Sequence, residues 1–322
     1  MAEPVQTESG AGGVTCWLGA EFTISDADSP CTPHPAALFL RRATRMLHTG
    51  LRMRGRKVLS SAQGLSWRLR GNPRAGPQPE GLLVLVCIYR QRNAQRVTDF
   101  CRPVIESGGR VFLWALDEIA TGLESHTVGH GHGSRCELLN NLVEWADPGE
   151  RDIVVICDDD VEFVRGDIPS LVAKSELCGF LLAQPAHSRD SNISYTFTFR
   201  APWIRARRTR FVEIGPVVVV SAAFRSRVFP MPDDFGMGWG LEVRWHALLG
   251  SDESFGIVDD MVIRHLGMVA SDYSGTVAEK TRRDTILAEY GLVDTKQLCR
   301  TTGRWWSWQR RPPWDAHGSS EC

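Results

Sequence analysis

The chain has 322 residues, with 37 Lys+Arg against 38 Asp+Glu and a formal net charge of −1. Hydrophobic residues make up 43% and charged residues 23%, the balance of a folded chain rather than a disordered one. At roughly 150 residues per domain the length suits two domains, or one large α/β domain with extensions. The even charge gives no reason to expect nucleic-acid binding.

Residues 1–33 carry Glu3, Glu8, Glu21, Asp26 and Asp28 and no Lys or Arg. The opening MAEPVQTESG has neither the basic n-region nor the apolar h-region of a secretory signal. Residues 34–79 reverse the charge, with Arg41, Arg42, Arg45, Arg52, Arg54, Arg56 and Lys57 among their bases and no acid. Leu38, Leu40, Met46, Leu51 and Met53 interleave with them. Segment 36–57 therefore reads as a basic amphipathic helix. It either makes a peripheral membrane-surface contact or packs, solvated, on the main domain. Gly71, Pro73, Gly76, Pro77 and Pro79 read as a linker. The expected organisation is an N-terminal extension over 1–80, a main domain over 81–294, and a Trp/Arg-rich tail over 295–322.

From residue 81 strands and helices alternate. LLVLVCI (82–88) is a continuous apolar run, as in a buried parallel strand. Helical text over 94–107 ends at Gly108-Gly109, and RVFLWALD (110–117) is a second strand. A helix is predicted over 135–146, a strand over 152–160, a helix over 167–177 and a strand over 179–185. This order predicts an α/β fold with a Rossmann-like, mostly parallel central sheet flanked by helices. In such sheets ligands bind beyond the carboxyl ends of the strands. Farther along, 211–220 reads as a strand and 239–249 as a helix. Short strands follow near 255–258 and 261–265, then a helix over 276–290. The segment with Phe197, Phe199 and Trp203, and with Arg200, Arg205, Arg207, Arg208 and Arg210, reads as a mobile acceptor loop or as a solvated basic loop. The tail GRWWSWQRRPPW (303–314) is expected to form a substrate lid, a membrane-interface contact, or a segment packing its indoles on the domain.

The longest apolar runs, 81–88 and 215–224, are shorter than the ~20 residues of a transmembrane span. The nine cysteines are odd in number, scattered and form no C-x-x-C pair, which argues against a disulfide framework and a structural zinc site. Cys87 and Cys157 lie in apolar runs and read as buried thiols. A reducing, cytoplasmic location is expected.

The strongest chemical signal is Asp158-Asp159-Asp160, where an apolar strand runs directly into three acids. Such crowding is self-repelling unless a cation is bound. Hard oxygen donors on a short turn suit Mg2+ or Mn2+, with water and phosphate oxygens completing the shell. Alternation places Asp158 and Asp160 on one side and Asp159 on the other. Arg92 and Asn93 follow the first strand, where a loop can contact a nucleotide. Neither G-x-G-x-x-G nor G-x-x-x-x-G-K-[ST] is present, which argues against a dinucleotide dehydrogenase and a phosphate-loop NTPase. HTVGHGHGSR (126–135) is a Gly-rich loop entering a helix, fit to approach an anion, with Arg135 adding a charge. Its histidines lack acid or Cys partners and do not read as a zinc site. In GMGWGLEVRWHALL, Glu242 opens a helix between Trp239 and Trp245, as a general base beside a stacked sugar would. GIVDDMVIRHLG brings Asp259 and His265 to a strand.

The motifs CDDD, LAQPAH, RFVEIGPVVVV, GMGWGLEVRW and GIVDDMVIRHLG, in this order over roughly 82–273, resemble bacterial nucleotide-sugar glycosyltransferases of the GT-A fold. These are family-2-like enzymes with a D-x-D motif, a G-W-G-x-[DE] motif and a late histidine. The resemblance implies that Asp158 and Asp160 hold the ribose and the diphosphate-bound metal, with Asp159 beside them, and that His265 completes the metal shell. It implies that Arg135 and Asn140 face the diphosphate or donor sugar, and that Arg92 and Asn93 read the base. Glu242 falls on the acid that deprotonates the acceptor hydroxyl in inverting members, and Trp239 and Trp245 on the acceptor side. Many relatives carry a second acid where this chain has Val243. The implied partners are a nucleotide-sugar donor, UDP-linked, and a hydroxyl-bearing acceptor; the cofactor is Mn2+ or Mg2+. Two other classes share parts of this pattern: a nucleotidyltransferase or phosphotransferase, and a non-catalytic nucleotide- or sugar-binding module.

Overall fold

A computed structural model describes residues 81–267 and 276–314. The expectations for residues 1–80, including the amphipathic helix and its membrane contact, lie outside the described residues.

The first strand β1 (Leu83–Tyr89) is apolar throughout because both its faces are covered. Helix α1 (Ala94–Glu106) follows a short 3-10 turn over Gln91–Asn93. Then come β2 (Arg110–Ala115), β3 (Thr127–His130) and α2 (Arg135–Ala146). A capping box starts α2: the Ser134 hydroxyl accepts from the Glu137 N–H while the Glu137 carboxylate accepts from the Ser134 N–H. Strand β4 (Ile153–Asp158) ends on the first acid of the triplet, and β5 (Val161–Arg165) follows the turn. Asp167 caps α3 (Ile168–Leu177), which has a proline in its first turn.

The second half contains β6 (Leu182–His187), β7 (Ile204–Thr209), β8 (Val217–Val220) and α4 (Ala222–Val228). It continues with α5 (Leu241–Ala247), β9 (Phe255–His265), α6 (Thr276–Glu289) and β10 (Thr301–Trp306). All ten strands form one sheet, ordered β10-β7-β9-β6-β8-β4-β1-β2-β3, with β5 pairing to β9 off this path. β1, β2, β3 and β4 pair in parallel, and so do β6 and β9. β8 lies antiparallel between β4 and β6, and β7 and β10 are antiparallel additions at one edge. The fold is thus α/β, a central sheet flanked by helices.

Alternation divides the side chains of β1 between two cores. Leu83, Leu85 and Cys87 meet Val97 and Phe100 of α1 and Leu171 of α3 on one face. Val84 and Val86 meet Leu139 and Leu142 of α2 on the other, with Phe224 of α4 and Trp245 of α5. No helix among the described residues is long and apolar enough to cross a membrane.

Several local expectations are corrected. Segment 211–220 is not one strand: Phe211–Pro216 crosses from β7 to β8 without pairing, through a cis Gly215–Pro216 bond. The two short strands expected near 255–265 are a single one, β9. The expected acceptor loop over 197–210 is partly a strand: Arg207 in β7 is 6% exposed and ion-paired to the buried Asp259 at 2.8 Å. Of the alternatives for the tail, its packing on the domain is seen for two indoles: β10 extends the sheet and Trp305 inserts its indole, 2% exposed, into the α1/α3 core. Trp314 packs on Phe180 and donates its indole N–H to the Cys178 carbonyl.

Candidate active site

The carboxyl ends of β1, β4 and β9 open into a cavity of about 620 Å³, within the range of small-molecule sites. Strand pairing alone places Asp158 beside Ile88. The β5–β9 pairing brings Val161, just past the acid triplet, opposite His265. Residues more than a hundred positions apart therefore meet at one end of the sheet.

Asp158, Asp160 and His265 form a cluster in which one ligand atom from each lies within 4.8 Å of the others. His265 Nε2 is 3.1 Å from Asp160 Oδ1. Burial disfavours the imidazolium, but the hydrogen bond to Asp160 and the charges of Asp160 and Asp158 outweigh it, raising His265 to about 9. Burial likewise works against the Asp160 carboxylate, and the bond to His265 overrides it and lowers its pKa. The other ring nitrogen of His265 lies 3.1 Å from the Asn192 carbonyl, which fixes the ring. Arg135, in the first turn of α2, donates to Asp158 Oδ1 at 2.8 Å. Two glycines permit the cluster. A Cβ on Gly267 would collide with Asp160 Oδ2, and a Cβ on Gly215 would stand 2.8 Å from Asp158 Oδ2.

Asp159 points the other way, as alternation requires. Its Oδ2 accepts the Arg90 N–H at 2.7 Å, and Asn93 adds a side-chain hydrogen bond. Asn93 also accepts from Arg96 at 2.8 Å, so its amide braces the loop after β1. Arg92, Asn93 and Asp159 all line the cavity.

Glu242 also lines the cavity. It is 3% exposed in the first turn of α5. The Gly240 N–H donates to its Oε2 at 3.0 Å, which Gly240 permits with φ of +103°. The Tyr195 hydroxyl donates to Oε1 at 3.2 Å. Burial nevertheless raises the carboxyl above its ordinary range, making it a stronger base than a surface glutamate.

Of the residues singled out from sequence, Arg92, Asn93, Arg135, Asp158, Asp159, Asp160, Trp239, Glu242 and His265 line this cavity. Two expected contacts are not brought to it. Asn140 faces away on α2, with both halves of its amide bonded to the Met231 backbone at 2.8 Å. Trp245 is 1% exposed and belongs to the α2/α5 core. Conversely, Tyr195, Glu213, Lys280 and Arg283 line the cavity and were missed by sequence reasoning. Glu213 is buried and its carboxyl is pushed up to about 7 by that burial. Its only sequence signal was an acid inside an apolar stretch, RFVEIGPVVVV.

No protein-family model and no curated protein matches the sequence. Solved structures similar to this chain include GalNAc-T7 with UDP, GalNAc and Mn2+, at TM-score 0.47 and 8% identity over 65% of this chain and 48% of that one. This chain thus spans about half the length of that protein. TarS residues 1–349 of S. aureus in complex with UDP-GlcNAc matches at TM-score 0.43 and 9% identity, covering 66% of this chain and 67% of that one. The mannosyltransferase PcManGT from Pyrobaculum calidifontis, in complex with GDP-Man and Mn2+, matches at TM-score 0.42 and 16% identity, covering 74% and 71%.

Proposed function

We propose that this chain is a metal-dependent glycosyltransferase of the GT-A type, moving a sugar from a UDP-linked donor to a hydroxyl acceptor with inversion. The observation that carries the reading is that Asp158, Asp160 and His265 share one cavity with a buried, hydrogen-bonded Glu242. A phosphate-handling end and a proton-accepting end face the same space.

The donor set fits a divalent cation. Two carboxylates and one imidazole, converging within 4.8 Å, suit Mn2+ or Mg2+ with water and phosphate oxygens filling the remaining positions. When bound, such an ion neutralises charge that develops on the leaving diphosphate. Asp158, Asp160 and His265 would hold it. Arg135, already fixed against Asp158, keeps a permanent positive charge at the same end. Arg92 sits where the nucleoside enters, after β1.

On the acceptor side, Glu242 takes the proton from the acceptor hydroxyl. The oxygen then bonds to the anomeric carbon as the carbon–oxygen bond to the diphosphate breaks, and a nucleoside diphosphate leaves. Attack from the face opposite the leaving group inverts the configuration. The hydrogen bonds from Gly240 and Tyr195 hold Glu242 at the cavity wall. Trp239, at the same wall, offers an aromatic surface for a sugar ring.

Thermal unfolding with UDP, GDP, TDP and CMP, each with and without Mn2+, tests the reading. UDP at ~100 times its dissociation constant adds about 2.7 kcal/mol. That raises the midpoint by roughly 2 °C or more in a chain of this size. The stabilisation should require Mn2+ and vanish in Asp160→Ala. A wild-type protein that no nucleotide stabilises, with or without Mn2+, would overturn the proposal.

A further inference from the structure

The open edge of the sheet carries a feature that the catalytic cavity does not use. β10 pairs with β7 on one side, and among the described residues no strand covers its other side. It runs antiparallel to β7, which runs antiparallel to β9, so β10 and β9 point the same way. Trp306 therefore ends β10 toward the same end of the sheet as the carboxyl end of β9. There it lies opposite Ile204, the first residue of β7.

Three tryptophans lie at this corner. Trp306 and Trp308 stack at 4.9 Å between centroids with planes 16° apart. Trp203 lies just before β7, in a left-handed backbone with φ of 65° that bulky residues avoid. The Ser307 N–H donates to the Trp203 carbonyl at 2.8 Å, and Arg205 donates to the Ser307 carbonyl at 3.0 Å. These bonds tie the two loops into one rigid ledge. Trp308 is 68% exposed and Trp203 58% exposed. The other indoles of the tail, Trp305 and Trp314, are turned into the domain, so exposure here is not the default for this segment.

The two segments that form the ledge carry one sign of charge. Segments 200–210 and 300–314 contain arginines and no acid. Arg207 and Arg205 are engaged with Asp259 and Asp260 inside the sheet. Arg304, Arg310 and Arg311 are exposed, and among the described residues none of them has an acid within ion-pair distance. Exposed indoles beside unpaired guanidinium groups are the combination that seats a protein at an anionic lipid surface. Indoles settle at the headgroup level, and each base near the surface adds attraction to acidic lipid.

We propose that this ledge, built from Trp203, Trp306, Trp308, Arg304, Arg310 and Arg311, docks the protein onto an anionic bilayer, independently of what the cavity catalyses. The ledge lies toward the same end of the strands as the cavity, on the lateral edge of the sheet.

The test is co-sedimentation of the full chain with vesicles of phosphatidylcholine alone and of equimolar phosphatidylcholine and phosphatidylserine. The full chain also holds the basic residues 34–79, so ledge variants decide the matter. Binding should occur on phosphatidylserine vesicles and weaken as salt is raised. Arg304→Gln, Arg310→Gln and Arg311→Gln together should weaken it by about a hundredfold, roughly fivefold per arginine. Trp306→Ala with Trp308→Ala should weaken binding by at least about tenfold and remove the blue shift of tryptophan emission on vesicles. All five positions lie at the edge, and an unchanged unfolding midpoint verifies the fold of each variant. Wild-type binding in either variant set would overturn the proposal, since residues 34–79 would then account for the attachment. Equal binding to both vesicle types, no binding to either, or self-association through β10 in place of vesicle binding would also overturn it.

Discussion

At the residue scale, the cluster of Asp158, Asp160 and His265 leaves its atoms no room to spare. Asp160→Ala removes a ligand and a partner of His265, and should abolish Mn2+ binding measured by calorimetry together with any Mn2+-dependent turnover. Gly267→Ala tests the packing rather than the ligand. Its methyl would occupy the position of Asp160 Oδ2, so Mn2+ affinity should fall by about tenfold to a hundredfold, as when a ligand loses its support, while the unfolding midpoint moves little. Glu242→Gln keeps the shape of the cavity and removes the base. Turnover should fall by about 10²–10⁴, with Mn2+-dependent nucleotide binding intact; unchanged turnover would remove Glu242 from the reaction. The acids at the end of β4 stood out in the sequence because acids at the end of an apolar strand have few structural uses. Tyr195 was not, since a tyrosine in a loop carries no sign of the carboxylate it will meet.

At the element scale, one buried ion pair holds β7 to β9. Arg207 donates to both oxygens of Asp259 and to the carbonyls of Phe197 and Phe199, while Asp259 also accepts the Ala201 N–H. The pair therefore anchors the 197–201 segment as well as the strands. Asp259→Ala leaves a buried guanidinium without its counter-charge and should cost about 3–5 kcal/mol, read by urea unfolding. The helices α1, α2 and α3 were legible to within a residue or so because caps and turn glycines punctuate them. Strand β7 was not. Its run IRARRT reads as a solvated basic loop, and it becomes a strand only because Asp259 waits on its neighbour. Asn140 shows the converse: a polar residue on the right helix, spent on the Met231 backbone that no local pattern reveals.

At the scale of the whole molecule, the stability of the fold should carry the mark of Glu213. Burial pushes its folded carboxyl from an ordinary 4.5 up to about 7. Between those values the folded chain holds a proton that the unfolded chain has lost, so stability falls as pH rises. This contribution is complete below about pH 4.5 and lost as pH passes through about 7. Glu213→Gln keeps the neutral shape. It should remove that slope and leave the variant more stable above neutrality, by up to roughly 3 kcal/mol, in urea titrations across this range. A slope equal to that of the wild type would place the charge cost elsewhere.

By itself the sequence determined the α/β alternation, the parallel strands at its start, and the acids at the end of β4. Each of these is a local matter: apolar runs, helix caps and a carboxylate triplet within a few residues. Tertiary structure alone decided that β8, β7 and β10 enter antiparallel. It also decided that Trp305 is core while Trp308 is surface, and which polar residues reach the cavity. Those outcomes rest on pairings between segments tens to more than a hundred residues apart, such as Val161 with His265 and Trp306 with Ile204. Their energy comes from burial and hydrogen bonds that exist only once both segments are in place.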